Sequence, residues 1–193
     1  MPLSPFMRQA AADFGVIVQE RIVLGMLMEG VRSETDALPD GMPDWYCVSP
    51  FRSVTHGLRR LIRDSADILT AAAPGLRREA IDAWTAEHGG RVGTVHVAQG
   101  REAPVIVMCL GGNPAHEAAI RWVGREPNLL NVCAFRAKRS LHFVGDRGLW
   151  ARYGGVFGEL ASDRPLGQTF PSLAVPPGSV VDFSRNPWLV VPS

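Results

Sequence analysis

Hydrophobic residues recur along the chain with two different periods, and their alternation predicts the elements of one domain. Apolar positions three and four residues apart predict an amphipathic helix over residues 10–29. Short apolar runs rich in branched and aromatic residues predict buried strands. Further helices are predicted at 53–63, 76–87, 116–123 and 128–138, and strands at 45–49, 91–96, 105–110 and 140–144.

Strands that alternate with helices predict an α/β fold with a mainly parallel sheet flanked by helices. From residue 164 onward the chain is rich in proline and glycine and has no sustained period, which is typical of a tail. Residues 180–183 and 188–191 are nevertheless apolar enough for short strands. The predicted organisation is an N-terminal tail over 1–9, one domain over 10–163 and a C-terminal tail over 164–193.

Composition narrows the classes of function. The 193 residues are 46% hydrophobic and 20% charged, as in a soluble globular protein. A net charge of +1 gives no general attraction for nucleic acid, so any such contact requires a local basic patch. Charged residues interrupt the apolar stretch 16–31, which predicts neither a membrane span nor a signal peptide.

The cysteines and histidines do not predict a metal site. Cys47, Cys109 and Cys133 lie inside apolar runs without C-x-x-C spacing, which favours buried, reduced thiols of a cytoplasmic protein over disulfides or zinc ligands. The histidines also lack the spacing of metal ligands. No metal is therefore expected on this chain.

Three segments in sequence order carry candidate chemistry. Residues 47–52 read Cys-Val-Ser-Pro-Phe-Arg, residues 93–102 read Gly-Thr-Val-His-Val-Ala-Gln-Gly-Arg-Glu, and residues 126–138 end in Phe-Arg-Ala-Lys. They resemble motifs IV, V and VI of superfamily 1 helicases, in the group that includes the Upf-type RNA helicases and the Dna-type nuclease-helicases. The resemblance covers roughly residues 10–161 and implies the second RecA-like (P-loop NTPase-type) motor domain of an ATP-dependent DNA or RNA helicase.

The resemblance implies a nucleotide-binding role for five residues. Arg136 would be the arginine finger that reaches the γ-phosphate of ATP, and Arg52 would be a second phosphate contact beside Phe51. Gly100 and Glu102 would lie at the edge of the nucleotide. These residue types suit the roles, because arginine is always charged and glycine allows the backbone to approach a ligand closely.

The resemblance also implies a path for single-stranded DNA or RNA. Thr94 and His96 would contact the single strand, and Gln99 would couple the state of the bound ATP to the affinity for that strand. Because Thr94 and His96 alternate on a predicted strand, their side chains are expected to point to one side. A packed core histidine is the alternative interpretation of His96.

The residues that bind the phosphates and magnesium in such an ATP site are not encoded in this sequence. Its only lysine is Lys138, so the chain has no Gly-Lys-Ser/Thr of a P-loop, and it has no Asp-Glu pair to hold magnesium. ATP with magnesium would be bound mainly by a first RecA-like motor domain, supplied in trans or encoded upstream. The chain alone is therefore expected not to hydrolyse ATP.

Two departures from the family pattern keep other hypotheses open. Phe135 occupies a position that is usually Ser or Thr, and Pro104 occupies one that is usually acidic. A non-catalytic nucleic-acid- or protein-binding module derived from a helicase domain would fit these changes, and so would a broken gene product with an exposed half-cleft.

The arginines of 59–63 are interpreted as a solvated helix face, with nucleic-acid contact as the alternative.

Overall fold

The protein is described by a computed structural model for residues 5–33, 37–98, 100–153, 155–161 and 188–190, with the backbone alone for 5–15 and 188–190. Its strands are β1 (Trp45–Ser49), β2 (Val92–Thr94), β3 (Ala103–Gly111), β4 (Ala137–Gly145) and β5 (Trp188–Val190). They form one sheet in the order β2-β1-β3-β4-β5, and every pairing between them is parallel. The structure thus confirms the predicted α/β class and parallel sheet.

Helices cover both faces of this sheet. They are α1 (Pro5–Arg32), α2 (Arg52–Asp64), α3 (Ala66–Ala72), α4 (Arg78–Trp84), α5 (Glu117–Gly124), α6 (Pro127–Arg136), α7 (Arg147–Tyr153) and α8 (Gly155–Ala161), with 3-10 helices at Val95–Ala98 and Pro114–His116. Apolar residues of α1 to α4 pack on one face, and those of α5 to α8 pack on the other.

The central strand β3 shows why the core has two halves. Its residues from Val105 to Leu110 are all buried. Ile106, Met108 and Leu110 enter the cluster on the α5–α8 face, whereas Val105, Val107 and Cys109 enter the cluster on the α1–α4 face. Since successive residues of a strand point to opposite faces, one continuous apolar run supplies both halves of the core.

Several predicted boundaries differ from the structure. Helix α1 begins at Pro5, so residues 5–9 belong to it and not to a tail. Helix α6 ends at Arg136 and strand β4 begins at Ala137, where a helix to residue 138 was predicted. At the other end of the chain, Trp188–Val190 pair with β4 as an edge strand, and residues 164–187 and 191–193 of the predicted C-terminal tail lie outside the described residues.

His142 on β4 makes the stability depend on pH. The side chain is 7% exposed, and its Nε2 lies 3.1 Å from the Ser140 hydroxyl oxygen. Burial, followed by the positive charge of Arg139, lowers the pKa of His142 to about 4 from the usual 6.5. The unfolded chain therefore binds a proton near pH 6.5 that the folded chain does not bind until about pH 4. The contribution of the neutral His142 to the free energy of unfolding is fully present above pH 6.5. It is lost as the pH falls from 6.5 to about 4, by up to about 3 kcal/mol in total.

We expect the free energy of unfolding, measured with urea at pH 7 and at pH 4.5, to fall more in the wild type than in His142→Gln. The exposed His56 on α2 supplies the matched control, since His56→Gln should keep the wild-type pH dependence. Burial raises the pKa of Glu20 and gives a contribution of opposite sign, but it is common to all three proteins. Equal pH dependence in wild type and His142→Gln would contradict a buried neutral imidazole.

Candidate nucleotide and nucleic-acid site

The parallel register of β3 and β4 brings two distant segments together. Ala103, the first residue of β3, pairs with Ala137, the first residue of β4. The residues just before them, Glu102 and Arg136, are therefore neighbours at the edge where the strands begin. One belongs to the segment 93–102 and the other to the segment 126–138, so the fold brings together residues that are distant in the sequence.

Glu102, Arg136 and Lys138 form what we call the amino-edge cluster. Oε2 of Glu102 lies 3.3 Å from Nζ of Lys138, and Oε1 lies 4.0 Å from Nη1 of Arg136. The carboxylate is half-exposed, and ion pairs in such surroundings contribute at most about 1 kcal/mol. Two cations thus share one carboxylate, and neither is held strongly by it.

Arg136 has donor capacity that the described residues do not use. Its Nε is buried and has no hydrogen-bond acceptor, although the side chain as a whole is one third exposed. Buried donors normally have partners, because an unpaired one loses its hydration without compensation. The exposed part of the side chain can donate charge-assisted hydrogen bonds to a phosphate.

Other arginines near this edge are committed to the fold. Arg91 forms an ion pair with Asp44 at 2.7 Å, and its guanidinium lies 4.6 Å from the centre of the Tyr46 ring. Arg101 donates to the Tyr46 hydroxyl and to the Gly90 carbonyl, both at 3.4 Å. Arg91 and Arg101 therefore anchor the loops that lead into β2 and β3.

The loop before β3 owes its shape to Gly100. This residue has φ of +81°, a region that favours glycine, and a Cβ built on it would meet no atom within 4 Å. Glycine is thus required here by the backbone conformation, and the exposed backbone is open to a ligand. The preceding residue, Gln99, lies outside the described residues.

The two residues predicted to contact a single strand do not share a β-strand. Strand β2 ends at Thr94, which is half-buried, and His96 lies in the 3-10 helix Val95–Ala98. The expected alternation of Thr94 and His96 on one strand is therefore wrong. The side chain of His96 is exposed, so its placement does not support the alternative of a packed core histidine.

Arg52 lies far from the amino-edge cluster. It is the first residue of α2, directly after Phe51, at the edge where β1 ends. The register aligns Val48 of β1 with Met108 of β3, whereas Arg136 precedes the residue that pairs with Ala103. At about 3.3 Å per residue, this separates Val48 from Arg136 by roughly 20 Å along the strands, and Arg52 follows Val48 in the direction away from Arg136. The predicted nucleotide contacts are therefore not all brought together within this chain.

Two arginines interpreted as a solvated face of α2 are structural. Nε and Nη2 of Arg59 donate to the Val92 carbonyl at 3.1 and 2.6 Å. Arg63 donates through Nε to the Thr85 hydroxyl and through Nη2 to the Thr85 carbonyl, both at 2.9 Å. The predicted exposure holds for Arg60 and Arg63, whereas Arg59 is half-buried. The hydrogen bonds of Arg59 and Arg63 were not predicted, because their partners lie 33 and 22 positions away in the chain. Both arginines pin α2 to the segment that carries β2.

The remaining candidate groups are placed as follows. All three cysteines are buried, as predicted, and burial raises the pKa of Cys47 and Cys133 to about 12 and also raises that of Cys109. In the described part of the chain, no three His, Cys, Asp or Glu side chains are grouped as metal ligands. Among the described helices, none is long and apolar enough to cross a membrane.

No family model, curated protein or solved structure matches this chain. The interpretation of the site therefore depends on its own residues. The amino-edge cluster offers an anion two partly exposed cations close in the chain to an open backbone at Gly100. Such an arrangement can hold a phosphate group through charge-assisted hydrogen bonds.

Replacing Arg59 tests the link between α2 and β2. We expect Arg59→Met to lower the free energy of unfolding in urea by about 1 to 3 kcal/mol, because a charged pair of hydrogen bonds to a backbone carbonyl is lost. Arg21 is an exposed arginine on α1, and Arg21→Met should leave the stability within about 0.5 kcal/mol of wild type. A loss of equal size in the two variants would contradict a structural role specific to Arg59.

Proposed function

We propose that this chain is the second RecA-like motor domain of an ATP-dependent DNA or RNA helicase, and that it supplies Arg136 to a nucleotide bound on a first motor domain. The observation that carries this proposal is the meeting of Glu102 with Arg136 at the amino edge of β3 and β4. The α/β class and the all-parallel order of the strands are compatible with a RecA-like domain.

The geometry of Arg136 suits a finger that acts across a cleft. Its side chain is one third exposed, its Nε has no acceptor among the described residues, and its ion pair with Glu102 is long. A γ-phosphate carries more negative charge than one carboxylate, so it would displace Glu102 from Arg136. Positive charge placed in advance at the transferring phosphate stabilises the transition state electrostatically.

Glu102 and Lys138 have supporting roles in this proposal. In the free chain, Glu102 offsets the two cations and keeps the side chain of Arg136 near the edge of the sheet. When a nucleotide arrives, Lys138 remains as the partner of Glu102 at 3.3 Å. Transfer of Arg136 from the carboxylate to a phosphate therefore leaves no unpaired charge on Glu102.

The test is ATP hydrolysis by two purified proteins mixed in trans. The first motor domain of an Upf-type helicase, which carries a P-loop and magnesium-binding acids, is combined with this chain and single-stranded DNA or RNA. We expect turnover above the sum of the separate proteins, and Arg136→Ala should reduce this stimulated turnover by about 10³-fold, as in other arginine fingers.

Arg125, at the end of α5, provides the matched control. It is an exposed arginine outside the amino-edge cluster, so Arg125→Ala should keep the stimulated turnover of the wild type. Stimulation that survives Arg136→Ala would refute the role of Arg136, and magnesium-dependent hydrolysis by this chain alone would refute its dependence on a first domain. Absence of stimulation, with strand binding retained, would favour the non-catalytic binding module.

A further inference from the structure

Phe135 is the most exposed of the large hydrophobic side chains in the described part of the chain, at 81%. It lies in the last turn of α6, whose buried face consists of Leu129, Leu130 and Cys133. At 3.6 residues per turn, Phe135 falls on the opposite side of the helix from these three residues. The folding of α6 onto the sheet therefore leaves the ring in solvent.

The surroundings of this ring are basic. Arg136, Lys138 and Arg139 follow within four positions, and Glu102 forms ion pairs with the first two of these cations. Over the whole chain, 20 basic residues are almost balanced by 19 acidic ones. The end of α6 is therefore a local basic patch of the kind that a chain of low net charge needs to bind a polyanion.

We propose that Phe135 stacks on a base of single-stranded nucleic acid, while the exposed Arg139 contacts an adjacent phosphate. An exposed aromatic ring beside cations that follow the backbone is the arrangement by which proteins bind single strands. The serine or threonine that is usual at this position of the resembled motif has no aromatic ring on which a base can stack. This inference depends on the proposed function only in taking a single strand as the ligand, and it requires no ATP.

The 3-10 helix that carries His96 adjoins α6. Helix α6 packs against the 3-10 helix Val95–Ala98, and Val95 and Ala98 lie in the same apolar cluster as Leu130 and Cys133. The exposed side chains of His96 and Phe135 are therefore carried by neighbouring elements on the same face of the sheet.

A protein partner fits this surface less well than a nucleic acid does. The centres of protein interfaces are depleted in charged residues, lysine in particular. Here the exposed ring is followed in the chain by two arginines and by a lysine that is 61% exposed. The cations complement phosphates, which a nucleic acid supplies at every residue.

Two oligonucleotides separate stacking from attraction to phosphates. One is an oligothymidylate of ~12 nucleotides, within the length that one single-strand-binding domain occupies, and the other is an abasic strand of equal length. Affinity for each is measured by fluorescence anisotropy, without ATP, for the wild type, Phe135→Leu and Phe135→Tyr. Trp122→Leu removes an exposed aromatic residue of α5 outside the patch and is the matched control.

We expect the wild type to prefer the base-bearing strand, and Phe135→Leu to weaken its binding roughly tenfold while leaving the affinity for the abasic strand unchanged. Phe135→Tyr keeps an aromatic ring and should retain the wild-type affinity, as should Trp122→Leu. Because Phe135 is exposed, Phe135→Leu should also retain the wild-type unfolding curve in urea.

Three results would overturn the inference. If Phe135→Leu binds the oligothymidylate as tightly as the wild type does, Phe135 does not stack on a base. Binding of the single strand by this chain would then still be supported. If the wild type binds neither strand, both this inference and the strand-binding part of the proposed function fail. If Phe135→Leu changes self-association in light scattering but not strand affinity, the ring is a protein contact.

Discussion

The burial of β3 on both faces and its pairing on both sides constrain the rest of the structure. Its alternate residues enter two separate apolar clusters, so a shift of one position would exchange the two sets of side chains between the faces. The strand therefore has one register. The register shifts between Ala103 and Val105, and beyond this shift Ala103 pairs with Ala137, which places Arg136 beside Glu102. The candidate site therefore depends on this local irregularity at the start of β3 as well as on the packing of the core.

The ion pairs of the amino-edge cluster orient Arg136 and still leave it able to bind another anion. A fully buried ion pair would hold Arg136 in one position but would oppose its release, because breaking it leaves a charge without solvent. An arginine without any partner would lose conformational freedom on binding. Glu102 is half-exposed and also contacts Lys138, so its pair with Arg136 orients the guanidinium at low cost and can exchange for a phosphate.

Much of the fold could be predicted from local periods, whereas the exceptions depend on contacts distant in sequence. The parallel strands were predictable from short apolar runs. The alternation of Thr94, His96 and their valine neighbours suggested a longer β2, but the eight residues 95–102 must return the chain to the start of β3, so it leaves the sheet after Thr94. Helix α6 stops at Arg136 because Ala137 pairs with Ala103.

The side-chain roles were less predictable than the elements. A local pattern on α2 marked Arg59 and Arg63 as solvated, since nothing in a helical period reveals an acceptor such as the Val92 carbonyl elsewhere in the chain. The resemblance likewise assigned Arg52 and Arg136 to one nucleotide, but a strand-to-helix turn and a helix-to-strand turn lie at opposite edges of a parallel sheet. Order along the chain does not determine which edge a residue occupies.

Phe135 and Arg136 illustrate how consecutive residues can serve different surfaces. Adjacent positions of a helix point about 100° apart. Arg136 is directed toward Glu102, with its Nε buried, while the ring of Phe135 is in solvent. A phosphate on the guanidinium and a base on the ring would therefore not occupy the same space. The aromatic residue removes a hydroxyl next to Arg136 but leaves the contact between Arg136 and Glu102 in place, so the two proposed roles are compatible on one turn of helix.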